Sequence, residues 1–171
     1  MAARKAFCGR TGGAKCAKGD AAAACVVTSG SYAKIHGKKP MARVVAAASV
    51  GVPPEIMGIG PAPAIRLLLE RTGLQLSDIG RFEINEAQGA QTLAVARELG
   101  LDLSKLNVTG GAIALGHPLA CTGVRLTITL ARELKRSGLR YGISSACVGG
   151  GQGIALLIEN PDGFRENPDA A

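Results

Sequence analysis

YGISSACVGGGQGIALLI, residues 141–158, decides the fold. Tyr141 to Cys147 and Gly153 to Ile158 are two short apolar runs, and three glycines separate them. Runs of that length and make-up predict strands, and the glycine turn between them predicts an antiparallel hairpin. Immediately upstream, Pro118 reads as the first residue of a helix that continues to Lys135 or Arg136 and stops at Gly138. Two more helices precede it. Gln88 to Leu99 is stopped by Gly100, and Ala62 to Thr72 has Ile65, Leu68 and Leu69 on one face with Gly73 as C-cap. Between them Phe82-Glu83-Ile84 predicts a short strand ending at Asn85, and Ala42 to Val50 is a β-capable stretch. Strands alternating with helices and closed by a hairpin predict an α/β architecture, a mixed β-sheet covered by helices on both faces.

The remaining segments are weaker. Ala21 to Thr28 is a short apolar run read as a strand, and Ser29 to Gly37 as one or two helical turns. Val52 to Pro63 reads as a Gly/Pro loop, and the chain from Glu159 on as a disordered tail. The expected divisions are a basic segment over residues 1–40, a domain over 41–160 and a tail over 161–171. The core must be assembled from Ala, Val, Leu and Ile, because aromatics make up 3% of the 171 residues and Trp is absent.

The net charge of +7 is unevenly placed: nine of the Lys/Arg and a single acid, Asp20, lie in residues 1–43. Such an arm attracts anions, or is only a solvated surface. With almost no aromatics beside it, single-stranded nucleic acid is not expected as a partner. Five cysteines without a CxxC pair predict free thiols in a reducing, cytoplasmic compartment. His117 and Cys121 are four apart, too few ligands for a metal site. No apolar run approaches the length of a membrane span. The acid-free start, Met1 to Lys18, resembles a transit peptide only faintly, since it lacks serines and an amphipathic period.

Three segments offer chemistry: Asn85-Glu86-Ala87, Gly116-His117-Pro118 and Cys147-Val148-Gly149-Gly150-Gly151. Each follows an apolar run and sits on a turn of small residues. A histidine between a glycine turn and a helix start can act as general base or oxyanion donor, though a lone histidine is as often structural. A free cysteine is usually a small hydrophobe, but the glycines after Cys147 open room for a substrate. Asn85 reads either as a helix N-cap or as an amide holding a water or a carbonyl oxygen. Glu86 reads as a structural partner of the neighbouring loops. The residues alone reach a possible acyl-transfer or Cys/His site.

In four places, in order, the sequence resembles the C-terminal half of the thiolases. These are PPEIMGIGP (53–61), FEINEA (82–87), NVTGGAIALGHPL (107–119) and CVGGGQG (147–153). The related ketoacyl synthases carry a second His where this chain has Cys147, which favours thiolase. The resemblance implies a thiolase-like fold half and an acyltransferase that cleaves 3-ketoacyl-CoA or condenses acyl-CoA through an acyl-cysteine. It implies His117 as the base that activates the nucleophile, Cys147 as proton shuttle and Asn85 as holder of an oxyanion-hole water. Met57, Ala87, Gln88, Gly149 and Gly150 would line the substrate pocket, and Cys16 would stand where a CoA-contacting serine is usual. Coenzyme A or acyl-CoA is implied as substrate, with no covalently bound cofactor, and a homo-oligomer is implied. The nucleophilic cysteine belongs to an N-terminal half or partner subunit; neither Cys8, Cys16, Cys25 nor Cys121 stands in its context. The alternative is an inactive remnant that binds CoA or a subunit. The sequence departs from the family at Gln88-Gly89, where Phe-Ala is usual, at Ala120, where Gly is usual, and throughout 1–40, a divergent remnant of the region between the halves.

Overall fold

The computed structural model describes residues 15–163. Its elements are α1 (Gly30–Ile35), β1 (Arg43–Gly51), α2 (Pro61–Thr72), β2 (Ile79–Ile84), α3 (Gly89–Leu99), α4 (Ala112–Leu115), α5 (Thr122–Arg136), β3 (Tyr141–Val148) and β4 (Gln152–Glu159). The strands form one sheet in the order β1-β4-β3-β2. β3 and β4 are the expected hairpin, β4 pairs β1 antiparallel, and β3 pairs β2 in parallel. The sheet is therefore mixed, as expected.

Side-chain alternation assigns the two faces. Phe82, Ile84, Ile143, Ala155 and Leu157 point to one side and pack with Ile65 and Leu68 of α2 and Val95 of α3. Leu156 and Ile158 point to the other, against Leu130, Ala131 and Leu134 of α5. Helices thus cover both faces, and small residues set how closely they approach. A Cβ on Gly142 would stand 2.7 Å from Leu130, so α5 lies close against β3 there. On the opposite face the approach is tighter still. A Cβ on Gly153 would fall 1.9 Å from the carbonyl oxygen of Gly60, where the chain enters α2.

Several boundaries differ from the sequence reading. Ala21 to Thr28 is not a strand: Val26 and Val27 are 93% and 79% exposed, and no strand among the described residues pairs with the run. The helix expected from Pro118 begins at Thr122. The Pro118 carbonyl instead accepts from the N–H groups of Cys121 and Thr122, so the proline leads a turn that feeds the helix. Val52–Pro63 is not all loop, because Pro54–Ile59 is a 3₁₀ segment and Pro61 opens α2 with no N–H to satisfy. The glycine segment before His117 includes the one-turn α4. Glu159 belongs to β4, paired with Arg43 and Arg140, and Asn160 is buried. Residues 1–14 and 164–171, with most of the expected tail, lie outside the described residues.

Gly153→Ala is expected to destabilise the fold by about 1–3 kcal/mol, the usual cost of overpacking. Urea unfolding followed by circular dichroism measures it; an unchanged midpoint would show that β4 and Gly60 can separate freely.

Candidate active site

The parallel pairing of β2 and β3 sets Ile84 opposite Ser145, and the Asn85 N–H continues the ladder to the Ser145 carbonyl at 2.9 Å. Asn85–Gln88 and Cys147–Gly151 therefore leave the sheet side by side at its carboxyl edge, the edge where open α/β sheets hold ligands. Asn85 is 1% exposed. It is not the cap of α3, a position taken by Gln88. Its Oδ1 is buried and has no hydrogen-bond partner among the described residues. A buried amide oxygen without a donor marks a place for a polar ligand or a water.

Asn107, which the motif reading passed over, holds this edge in place. Its N–H donates to the Phe82 carbonyl at 2.8 Å. Its side-chain Oδ1 accepts from the Ile84 N–H and its Nδ2 donates to the Ile84 carbonyl, both at 2.9 Å. The side chain thus substitutes for a further strand beside β2. The backbone takes φ 46°, left-handed, which asparagine tolerates better than most residues. Nδ2 also reaches Glu86 Oε1 at 3.3 Å, and Glu86 Oε2 accepts from the Ile113 N–H at 3.0 Å. Glu86 is the structural partner that the sequence suggested. A Cβ on Gly111 would strike its carboxylate, so that glycine leaves room for it.

His117 stands at the other wall. Its Nδ1 lies 2.7 Å from Thr122 Oγ1, and that hydroxyl lies 3.0 Å from the Pro118 carbonyl. A hydroxyl has one proton; when it goes to the Pro118 carbonyl, which can only accept, Nδ1 carries a proton and donates to Oγ1. Nε2 is then the free acceptor. Burial, and after it the positive charge of Arg125, hold the imidazole below its ordinary pKa and so neutral at neutral pH. An open groove of about 480 Å³ lies between His117–Ala120 and Lys18–Ala21.

The strand-like strap at residues 15–18 joins the two walls. The backbone N–H and Sγ of Cys16 both contact the Ala87 carbonyl, at 3.3 and 3.4 Å, and the His117 N–H donates to the Ala17 carbonyl at 2.8 Å. Cys147 is half-buried at the end of β3. Burial pushes its thiol above the ordinary cysteine pKa, and the neighbouring Cys16 adds to the rise. Met57 is half-buried in the 3₁₀ segment, which the Val52 N–H to Gly151 carbonyl bond (2.8 Å) anchors to the glycine turn. Ala87 is half-buried, whereas Gln88, Gly149 and Gly150 are exposed. The structure thus groups Asn85, Ala87, Gln88 and Cys16 on one side and Cys147, Gly149 and Gly150 on the other. The strap ties His117 to the first group.

Beneath the site, Glu83 is buried on the α5 face of the sheet. Desolvation raises its pKa to about 7 despite the opposing charge of Arg125 3.6 Å away. Glu83, Thr122 and Arg125 drew no attention in the sequence, since a strand glutamate and a helix arginine usually face solvent. Only their position on the inner faces of β2 and α5 would have marked them.

Residues 38–160 match the family described as "Thiolase, C-terminal domain", and the chain belongs to the thiolase family. It is 53% identical over 141 residues to the mitochondrial 3-ketoacyl-CoA thiolase of Bos taurus, covering 82% of this chain and 36% of that protein. It is 50% identical over 142 residues to the acetyl-CoA acetyltransferase of Syntrophomonas wolfei, with the same coverage. Among solved structures, human mitochondrial 3-ketoacyl-CoA thiolase in complex with CoA superposes with a TM-score of 0.76 at 52% identity, over 77% of this chain and 33% of that one. The acetyl-CoA acetyltransferase of Bacillus anthracis gives a TM-score of 0.75 at 56% identity, with the same coverage. The chain therefore spans little more than a third of the relatives that it matches.

Asn107→Ala is expected to cost about 1–3 kcal/mol, because it leaves the Ile84 amide and carbonyl without partners. Amide hydrogen exchange at Ile84 and Asn85 should accelerate in step; unchanged protection would place the support of this edge elsewhere.

Proposed function

We propose that the chain is the acid/base half of a thiolase-type acyltransferase acting on acyl-CoA, by thiolysis of 3-ketoacyl-CoA or the reverse Claisen condensation. The observation that carries this reading is the convergence of an amide, a thiol and the His117 strap at the carboxyl edge of β2 and β3. The nucleophilic thiol comes from an N-terminal half or a partner subunit, and a homo-oligomer completes the enzyme. Four free thiols among the described residues fit a reducing compartment such as the cytoplasm. No described helix is long and apolar enough to cross a membrane.

Each residue has a role its surroundings support. His117 Nε2, the free acceptor of a neutral ring, takes the proton of the nucleophilic thiol. The thiolate attacks the acyl carbonyl, a C–S bond forms, and the bond to the leaving carbon or sulfur breaks. Cys147, held protonated by burial, gives its proton to that leaving group. In the reverse direction its thiolate removes a proton from the substrate α-carbon. Asn85 holds, through its unpartnered Oδ1, the water that stabilises the developing oxyanion. Met57, Ala87, Gln88, Gly149 and Gly150 border the acyl and pantetheine chains, and Cys16 contacts CoA through the strap. The Lys18 side of the groove next to His117 suits an anionic ligand.

Thiolysis of acetoacetyl-CoA tests the reading, with the chain alone and fused to the N-terminal half of a related thiolase. Turnover is expected in the fusion. Cys147→Ala should lower it about 10²- to 10⁴-fold, and His117→Ala at least as much. Variant activity within a few-fold of the parent would remove those roles. CoA binding by a fusion that never turns over would make the chain a ligand- or subunit-binding domain. In the same fusion, Gln88→Phe should shift the preferred acyl length; an unchanged preference would mean that Gln88 does not reach the acyl chain.

A further inference from the structure

Arg125 occupies an unusual position. It lies on α5 three residues after Thr122, hence on the same helix face as the hydroxyl that receives the His117 Nδ1 proton. Its side chain is 18% exposed, and it reaches Glu83 Oε2 at 3.6 Å, too far for a hydrogen bond. Nη1, Nη2 and that carboxylate oxygen are all buried, with no hydrogen-bond partner among the described residues. A guanidinium held so dry is poorly screened, and its field reaches the neighbouring ring.

We propose that Arg125 is the positioning residue of His117: its buried guanidinium, steadied by Glu83, keeps the imidazole uncharged with Nε2 open to accept a proton. This rests on the reading of His117 as the base. The charged groups around the pair are few. Lys18 lies beside His117 on the strap. Glu83 faces Arg125 from β2, and Glu86 and Glu133 also act on Glu83. Glu86 is held by Asn107 and Ile113, and Glu133 by Arg81, Arg136 and Ser137. Among the described residues, Glu83 is thus the acid that opposes Arg125 at close range.

Glu83 sets how strongly that charge is felt. Desolvation raises its carboxyl to about 7 against the opposing charge of Arg125. Where Glu83 is protonated the charge of Arg125 is unopposed, and its resistance to a proton on His117 is at its strongest.

The chain contains two histidines, His36 and His117, so proton NMR of the imidazole Cε1–H signals follows each directly. Arg125→Met should raise the His117 midpoint by about half a unit or more, from removal of one nearby buried charge. His36, exposed at the end of α1, should stay in place. Arg125→Lys keeps the charge and should stay within about 0.2 units of the parent. Glu83→Gln removes the charge that opposes Arg125 and should not raise the midpoint. The double variant Glu83→Gln/Arg125→Met leaves no buried charge unpaired, so it reads the same upward shift should the single methionine variant fail to fold. A His117 midpoint unmoved in both methionine variants, or a lysine variant that shifts as far as methionine, would overturn the proposal. In the active fusion, the acid limb of kcat/KM should move up with the NMR midpoint. A shift in the NMR midpoint without any dependence of turnover on His117 would keep the coupling and reject the base.

Discussion

Everything about this site depends on one register: β2 runs parallel to β3 with Ile84 opposite Ser145. A parallel pair has its carboxyl ends on the same side, so the residues following each strand must emerge together. Slipping the pair by one residue would turn Asn85 out of its buried position and send Ile84 into the opposite layer. The register is fixed twice, by core side chains and by a side chain acting as backbone. Phe82, Ile84 and Ile143 must all face α2, and Asn107 binds both polar groups of Ile84 on the strand's outer side.

The two faces of the sheet divide the work. The α2 face holds the larger apolar core, with the buried Ser145 on the same side bonded to the Ile154 carbonyl. The α5 face is apolar at Leu126, Leu130, Ala131, Leu134 and Ile158, but it also buries Glu133, bonded to Arg81, Arg136 and Ser137. Toward the site it becomes polar, with Thr127 near Ser144 and Arg125 near Glu83. Burying a charged pair that is not hydrogen-bonded costs stability, and an apolar pair of similar volume would serve the fold as well or better. The pair sits where α5 starts, one turn from the histidine-bound threonine, so its cost is met at the position where a fixed charge can influence the imidazole.

The sequence made the architecture legible because its punctuation was unambiguous. The glycine turn between β3 and β4, and Gly73 and Gly100 as left-handed helix ends, each had one sensible reading. Pro118 misled because a proline can lead a capping turn as readily as a helix. Ala21–Thr28 misled because an apolar run predicts burial only if a partner strand exists, which is a fact of topology. The site was half legible. Motif residues stood out by type and context, and their grouping follows from the predicted strands. Asn107, Thr122, Arg125 and Glu83 did not stand out, since each matters through a partner more than twenty residues away or through a helical face whose orientation only packing reveals.

The rim of the site is apolar and open. Leu115 and Leu119 flank His117 at 65% and 69% exposure, and Val148 follows Cys147 at 41%. Elsewhere on the helices large apolar side chains are mostly tucked into the two cores. Acid/base groups need a low and fixed dielectric to act with force, and water at this rim would screen both the imidazole and the oxyanion. A second surface seated over Leu115, Leu119 and Val148 would exclude that water while bringing a nucleophile to Nε2. Burying the rim and completing the chemistry would then be one event, so the histidine would meet its substrate only once its surroundings are dry.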